Sequence, residues 1–294
     1  MKKEENKVIK AYKGFDKDLK CRGFQYEVGK EYEIAGDVKC CENGFHACEN
    51  PLDVLDHYFI DDRAGICRFC EVEQSGQISK DDNGSKNASS KIKIKAELKF
   101  ADFIKLGVEW IKEKVTQNGD SQKASGDSSQ LAASGDSSQL AASGDFSQLA
   151  ASGDSSQLAA SGYFSKLAAS GYSSKLAASG YSSKLAASGD FSQLAASGDF
   201  SQLAASGDFS KLAASGDSSN IDSTGKDSVI CCAGHGSKVK AKKGSWITLS
   251  EWQKDKKKHR CVPKCVKTEF VDGENIKEDT WYTLKDGKFV EVEQ

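Results

Sequence analysis

One apolar residue in every nine organises the middle of the chain. Leucine stands at Leu131 and at each ninth residue through Leu212, and Ile221, Ile230 and Val239 continue the series without a slip. Around it the unit reads S-G-D-x-S-x-L-A-A. A helix fits this badly. Glycine and serines weaken helices, and nine residues make about 2.5 helical turns, so successive leucines would fall on opposite sides. A strand fits. On a period of two, the fifth-position serine and the leucine point inward, and the fourth-position residue and the Gln or Lys point outward. Ser-Gly is then the corner. A fixed short period predicts a solenoid. With about two repeats per coil, two short sheets form, and the thirteen apolar slots give about six coils, roughly 30 Å of stack.

The flanks carry different patterns. IKAYKGF (9–15), KEYEIAG (30–36), GICRFCEVEQSG (65–76) and KIKIKAELKF (91–100) alternate as strands do. ENPLDVLDHYF (49–59) predicts a helix with Asn50 as N-cap and Pro51 at its first position. FADFIKLGVEWIKEKV (100–115) predicts an amphipathic one. Beyond the array, SWITLSEW (245–252) is a strand candidate, and TWYTLKDGKFVEV (280–292) reads as a hairpin around Lys-Asp-Gly-Lys. The expected fold is mainly β: an N-terminal α/β capping domain (1–117), a nonapeptide β-solenoid (118–241) and a small C-terminal β cap (242–294). Caps are expected because open coil ends expose unpaired edges.

Comparing the copies sharpens the picture. Ser, Gly, the fifth Ser, Leu and both alanines barely change; the third, fourth and sixth positions do. Asp gives way to Tyr163, Tyr172 and Tyr181 in three consecutive copies, which carry Lys166, Lys175 and Lys184 in place of glutamine. Phe146, Phe164, Phe191, Phe200 and Phe209 fill the fourth position and are expected to face outward. An outward aromatic row is a contact surface, so these eleven residues are the candidate interaction surface. Laddering of the rings along the sheet is the structural alternative.

Bulk chemistry mostly excludes. The net charge of −2 implies no general attraction to nucleic acid or anionic lipid, and no apolar run is long enough for a membrane span. MKKEENKVIK lacks an apolar segment, so no secretory signal is expected. A cytoplasmic setting follows, with the ten cysteines as reduced thiols. Cys67 and Cys70, with His46 and Cys48, have zinc-type residues, but a CxxC inside a strand points its thiols to opposite faces, so core cysteines are expected there. Cys231 and Cys232 are expected to pack. The Asp of each repeat lies two residues upstream of the calcium-ligand position of nonapeptide β-rolls, so regular calcium loading is not expected. No metal and no cofactor are assigned.

Three stretches resemble a known family: AYKGF (11–15) with CRGFQYEVGKEYE (21–33), GFHACENPLDVL (44–55), and DTWYTLKDGKFVEVE (279–293). They are similar to an uncharacterised family of bacteria and tailed phages that joins an N-terminal domain of unknown function to GxxSxAA-type repeats and a C-terminal β cap. The resemblance implies an intracellular, phage- or prophage-encoded protein and no established activity. Tyr12-Lys13-Gly14 and Gly44-Phe45-His46 also resemble the NAD-holding strands of ADP-ribosyltransferases, which usually place Arg or His at the Lys13 position. That resemblance implies a pocket at Tyr12, Lys13, Gly44, Phe45 and His46 and a late glutamate, with Glu71 or Glu73 as candidates. The leading expectation is a non-catalytic interaction or scaffold protein. It would form a homo-oligomer, with a host protein as a further partner. The alternative is an ADP-ribosyltransferase-like or nucleotide-binding protein.

Overall fold

The computed structural model describes residues 8–61, 65–81, 85–114 and 121–292. The chain divides into two compact units, Met1–Trp110 and Ile111–Gln294. The boundary expected at residue 117 and the start of the chain read for a signal lie outside the described residues. No helix among them is long and apolar enough to cross a membrane.

In the first unit, the alternating stretches become strands. β1 is Ile9–Phe15, followed by the small hairpin β2 (Lys20–Cys21) and β3 (Phe24–Gln25), then β4 (Glu31–Glu33) and β5 (Phe45–Cys48). Ile60–Asp61 (β6) and Gly65–Ile66 (β7) make a second small hairpin before two long strands, β8 (Arg68–Lys80) and β9 (Lys86–Leu98). The main sheet runs β4-β9-β5-β1-β8, and β8 also pairs with β9, so the sheet closes on itself. Its pairings are antiparallel, and the unit is a β domain carrying two helices. The inward faces bury Phe15, Phe45, Val72, Ile92 and Ile94 in one core.

Helix α1 is only Pro51–Val54, shorter than the pattern predicts. Its start is as expected, with the Asn50 side chain accepting from the Leu52 N–H at 3.0 Å. It stops early where Tyr58 packs on the β1 backbone: a Cβ on Gly14 would lie 2.3 Å from the Tyr58 Cβ. Helix α2 spans Phe100–Lys114. Phe103 stacks on Phe69 at 4.0 Å, and Gly107 leaves room for Leu52, whose Cδ2 would be 2.5 Å from an added Cβ.

In the second unit the array begins with β10 (Ser121–Ala124). A four-residue strand then recurs at every ninth residue from β11 (Gln130–Ala133) to β22 (Val229–Cys232), followed by β23 (Lys238–Lys240) and β24 (Trp246–Asp255). Even-numbered strands form one parallel sheet and odd-numbered strands the other, so two repeats make one coil. Like pairs with like: Leu140 with Leu158, and Leu149 with Leu167. The solenoid makes about seven turns over residues 121–249. It is longer than expected because Gln122 and Ile247 occupy the leucine slot too. Leucines and second alanines fill a single core column. In the first coil, buried Gln122 donates instead to the Ala132 carbonyl at 2.8 Å, a polar group with a partner where the column begins.

The corner is larger than Ser-Gly. The fourth-position residue, Ser or Phe, takes a left-handed conformation in copy after copy, with φ between 53° and 59°. There its N–H donates to the third-position carbonyl of the next coil, as from Phe146 to Tyr163 at 2.8 Å. The fifth-position serine is buried and turns back, donating to the glycine carbonyl three residues earlier: Ser147 to Gly144 at 2.7 Å, Ser174 to Gly171 at 3.0 Å. The glycine itself sits against the coil beneath. A Cβ on Gly180 would lie 2.0 Å from the Gly162 carbonyl oxygen, and one on Gly162 would lie 2.1 Å from that of Gly144.

Both sheets end in antiparallel hairpins. β24 pairs with β25 (Arg260–Phe270), while β26 (Tyr282–Lys285) pairs with both β23 and β27 (Lys288–Glu291). Glu251 ties the two hairpins together, accepting from Lys264 Nζ at 2.7 Å and from the Gly287 N–H at 2.8 Å. These two bonds hold its carboxyl at about 2.

The glycine contact separates two otherwise similar substitutions. Gly180→Ala forces a backbone clash and is expected to cost ~1–3 kcal/mol or more. Among the described residues Gly126→Ala meets only the Ser129 Oγ, at 3.8 Å, and is expected to leave the urea midpoint near wild type. Equal effects in equilibrium denaturation would refute the stacking account.

Candidate functional site

The corners carry the aromatic residues. Phe146, Phe164, Phe191, Phe200 and Phe209 are exposed, as are Tyr163, Tyr172 and Tyr181. Because two repeats make a coil, alternate copies lie on opposite edges, so the outward row becomes two rows. On one edge Phe146 and Phe164 stack at 5.2 Å, Phe164 meets Tyr181 edge-on at 5.9 Å, and Tyr181 meets Phe200 at 5.2 Å. On the other, Tyr172 meets Phe191 at 5.2 Å and Phe191 stacks on Phe209 at 5.0 Å.

The lysines divide in the same way, so the outward direction expected for the sixth position does not hold in every copy. Lys175 lies on the even sheet and is exposed, whereas Lys184 is half-buried and Lys166 is buried, both on the odd sheet. The two sheets differ in their outward positions. Ala159, Ala177, Ala195 and Ala213 are exposed on the even sheet; Ala150, Ala168, Ala186 and Ala204 are buried on the odd one. Consecutive copies therefore cannot make one continuous basic surface. Cys231 is likewise exposed on the even sheet, while Cys232 packs inward as expected.

The third position has a structural task that the sequence pattern did not disclose. Each Asp carboxylate accepts from the N–H of the third-position residue one coil on: Asp127 from Asp145 at 3.0 Å, Asp145 from Tyr163 at 2.7 Å, Asp199 from Asp217 at 2.8 Å. Tyr163, Tyr172 and Tyr181 cannot accept in this way, so the ladder skips the N–H groups of Tyr181, Asp190 and Asp199.

In the first unit, Tyr12, Lys13, Gly44, Phe45 and His46 all line one cavity of about 590 Å³. β1 brings Tyr12 and Lys13 to it, and β5 brings Phe45 and His46. Gly44 has φ of 117°, and a Cβ there would meet Val38 Cγ1 at 3.0 Å. His46 Nε2 accepts from the Cys41 N–H at 2.9 Å. Burial, with Lys86 and Lys13 nearby, lowers its imidazole to about 4. The glutamates that the transferase resemblance implies lie elsewhere: Glu71 pairs with Lys10 at 3.0 Å and Glu73 with Lys95 at 2.9 Å. Two further lining residues went unnoticed in the sequence. Lys13 Nζ is 3.4 Å from Cys21 Sγ, and Tyr58 Oη is 3.0 Å from the same sulfur. Nothing in their spacing signals it, because the fold alone joins β1, the β2 hairpin and the turn after α1.

Cys67 and Cys70 are buried, and burial pushes the Cys70 thiol up to about 12. Among the described residues they form no ligand group with His46 and Cys48. One unforeseen group exists: Cys40, Cys41 and Asp81, with ligand atoms within 4.8 Å of one another.

His46 sets a pH dependence. Its folded value lies below its ordinary value of 6.5, so the unfolded chain binds the extra proton first and stability falls as pH drops from 6.5 towards 4. His46→Gln is expected to flatten urea midpoints across that window; an unchanged slope would refute the assignment.

Residues 9–106 match the model of a family described as a domain of unknown function, DUF7666. Neither a curated protein nor a solved structure matches the chain.

Proposed function

We propose that the protein is a non-catalytic interaction scaffold whose contact surfaces are the two aromatic edges of the solenoid, and that the partner at those edges is a second copy of the chain. One observation carries this reading: the aromatic residues sit where the corner would be more stable without them. A left-handed conformation disfavours a bulky side chain such as phenylalanine. Tyrosine at the third position removes a bond that aspartate makes to the next coil. Ring stacking, worth about 0.5–1.5 kcal/mol per pair, offsets part of this, but Tyr163 makes no ring contact among the described residues. Residues retained against local stability mark function more often than folding. The small net charge raises little repulsion between copies. The resemblance to bacterial and phage proteins supports a host protein as the occupant if the chain is monomeric.

A second reading, nucleotide binding by the first unit, is favoured by the convergence of Tyr12, Lys13, Gly44, Phe45 and His46 on one cavity. Calorimetric titration with NAD tests it, and absence of heat at millimolar ligand would exclude it.

Two measurements bear on the scaffold. Changing Phe146, Phe164, Phe191, Phe200 and Phe209 to Ser is expected to reduce the light-scattering mass to that of one chain; an unchanged mass would contradict self-association. Tyr163→Asp offers the Tyr181 N–H a carboxylate and is expected to stabilise by about 0.5–1.5 kcal/mol while weakening association. A destabilised variant would remove the trade-off.

A further inference from the structure

We propose that Lys13 and Cys21 form a reversible covalent cross-link when the protein meets peroxide, which makes the cavity of the first unit a modification site independent of any ligand it takes. The amine and the sulfur already face each other, with Nζ 3.4 Å from Sγ. The amine also donates to the His46 carbonyl at 2.9 Å and lies over the Phe15 and Tyr26 rings. Lys13 is buried, and among the described residues no carboxylate pairs with it. Desolvation therefore lowers its basicity and favours the neutral amine. Cys21 is only half-buried and lines the cavity, so a small oxidant reaches it. Tyr58 Oη donates to its sulfur at 3.0 Å, which holds the sulfur in place beside the amine.

The chemistry balances. The Cys21 sulfur attacks a peroxide oxygen; the S–O bond forms, the O–O bond breaks, and water leaves with the thiol proton. The Lys13 nitrogen then displaces the sulfenic hydroxyl; the S–N bond forms, the S–O bond breaks, and a second water leaves with one amine proton. Sulfur is oxidised and peroxide is reduced. Excess dithiothreitol attacks the sulfur and expels the amine, which takes up the thiol proton; its second thiol then displaces Cys21 from the mixed disulfide, leaving oxidised dithiothreitol and both side chains restored.

Hydrogen peroxide treatment of the full chain, followed by digestion and tandem mass spectrometry, tests this without a variant. The expected product joins the Lys13 and Cys21 peptides and is lighter than their sum by two hydrogens. It disappears on dithiothreitol treatment and in Cys21→Ser, and in Lys13→Gln it is replaced by over-oxidised Cys21. Recovery of Cys21 as a disulfide with Cys48, or as sulfinic acid beside an unmodified Lys13, would overturn the proposal.

Discussion

The contact on which the solenoid depends is between backbone and backbone. At each corner from Gly144 to Gly234 a glycine lies so close to the coil beneath that a single added carbon would fall about 2 Å from a carbonyl oxygen. No side chain other than hydrogen fits there. That contact fixes where one coil rests on the next, and the inward leucines then meet their equals 18 residues away. A slip of one residue would bring a larger side chain against that carbonyl and turn the leucines outward. The strict nine-residue period is thus a steric requirement, and the apolar column follows from it.

The corner also decides which letters are free to vary. The buried fifth-position serine closes the turn on the glycine carbonyl. The third and fourth positions project into solvent, where only a carboxylate–amide bond and an unfavourable backbone angle constrain them. There the copies diverge, and there the aromatic residues collect.

Much of this was legible in the sequence. The leucine register predicted strands, two sheets and inward packing, because a period of two acts on each copy by itself. What escaped depends on partners a full coil away. The aspartate bond joins residues 18 apart, and nothing within one unit reveals it. The left-handed fourth position was hidden because serine and phenylalanine do not signal it as glycine or asparagine would. Alternation between sheets buried Lys166 and exposed Lys175 although their repeats read alike. In the first unit the cavity residues of β1 and β5 were read from their motifs, while Cys21 and Tyr58 reached Lys13 only through the fold.

The two-repeat coil is tested most directly by proximity across 18 residues. Nitroxide labels at Ser155→Cys and Ser173→Cys, with the native exposed cysteines replaced by serine, sit on one edge in adjacent coils. Labels at Ser155→Cys and Ser182→Cys sit on opposite edges. Strong dipolar broadening for the first pair and far weaker broadening for the second is the expected result. Comparable broadening in both pairs, or the reverse order, would contradict a solenoid built from pairs of nonapeptides.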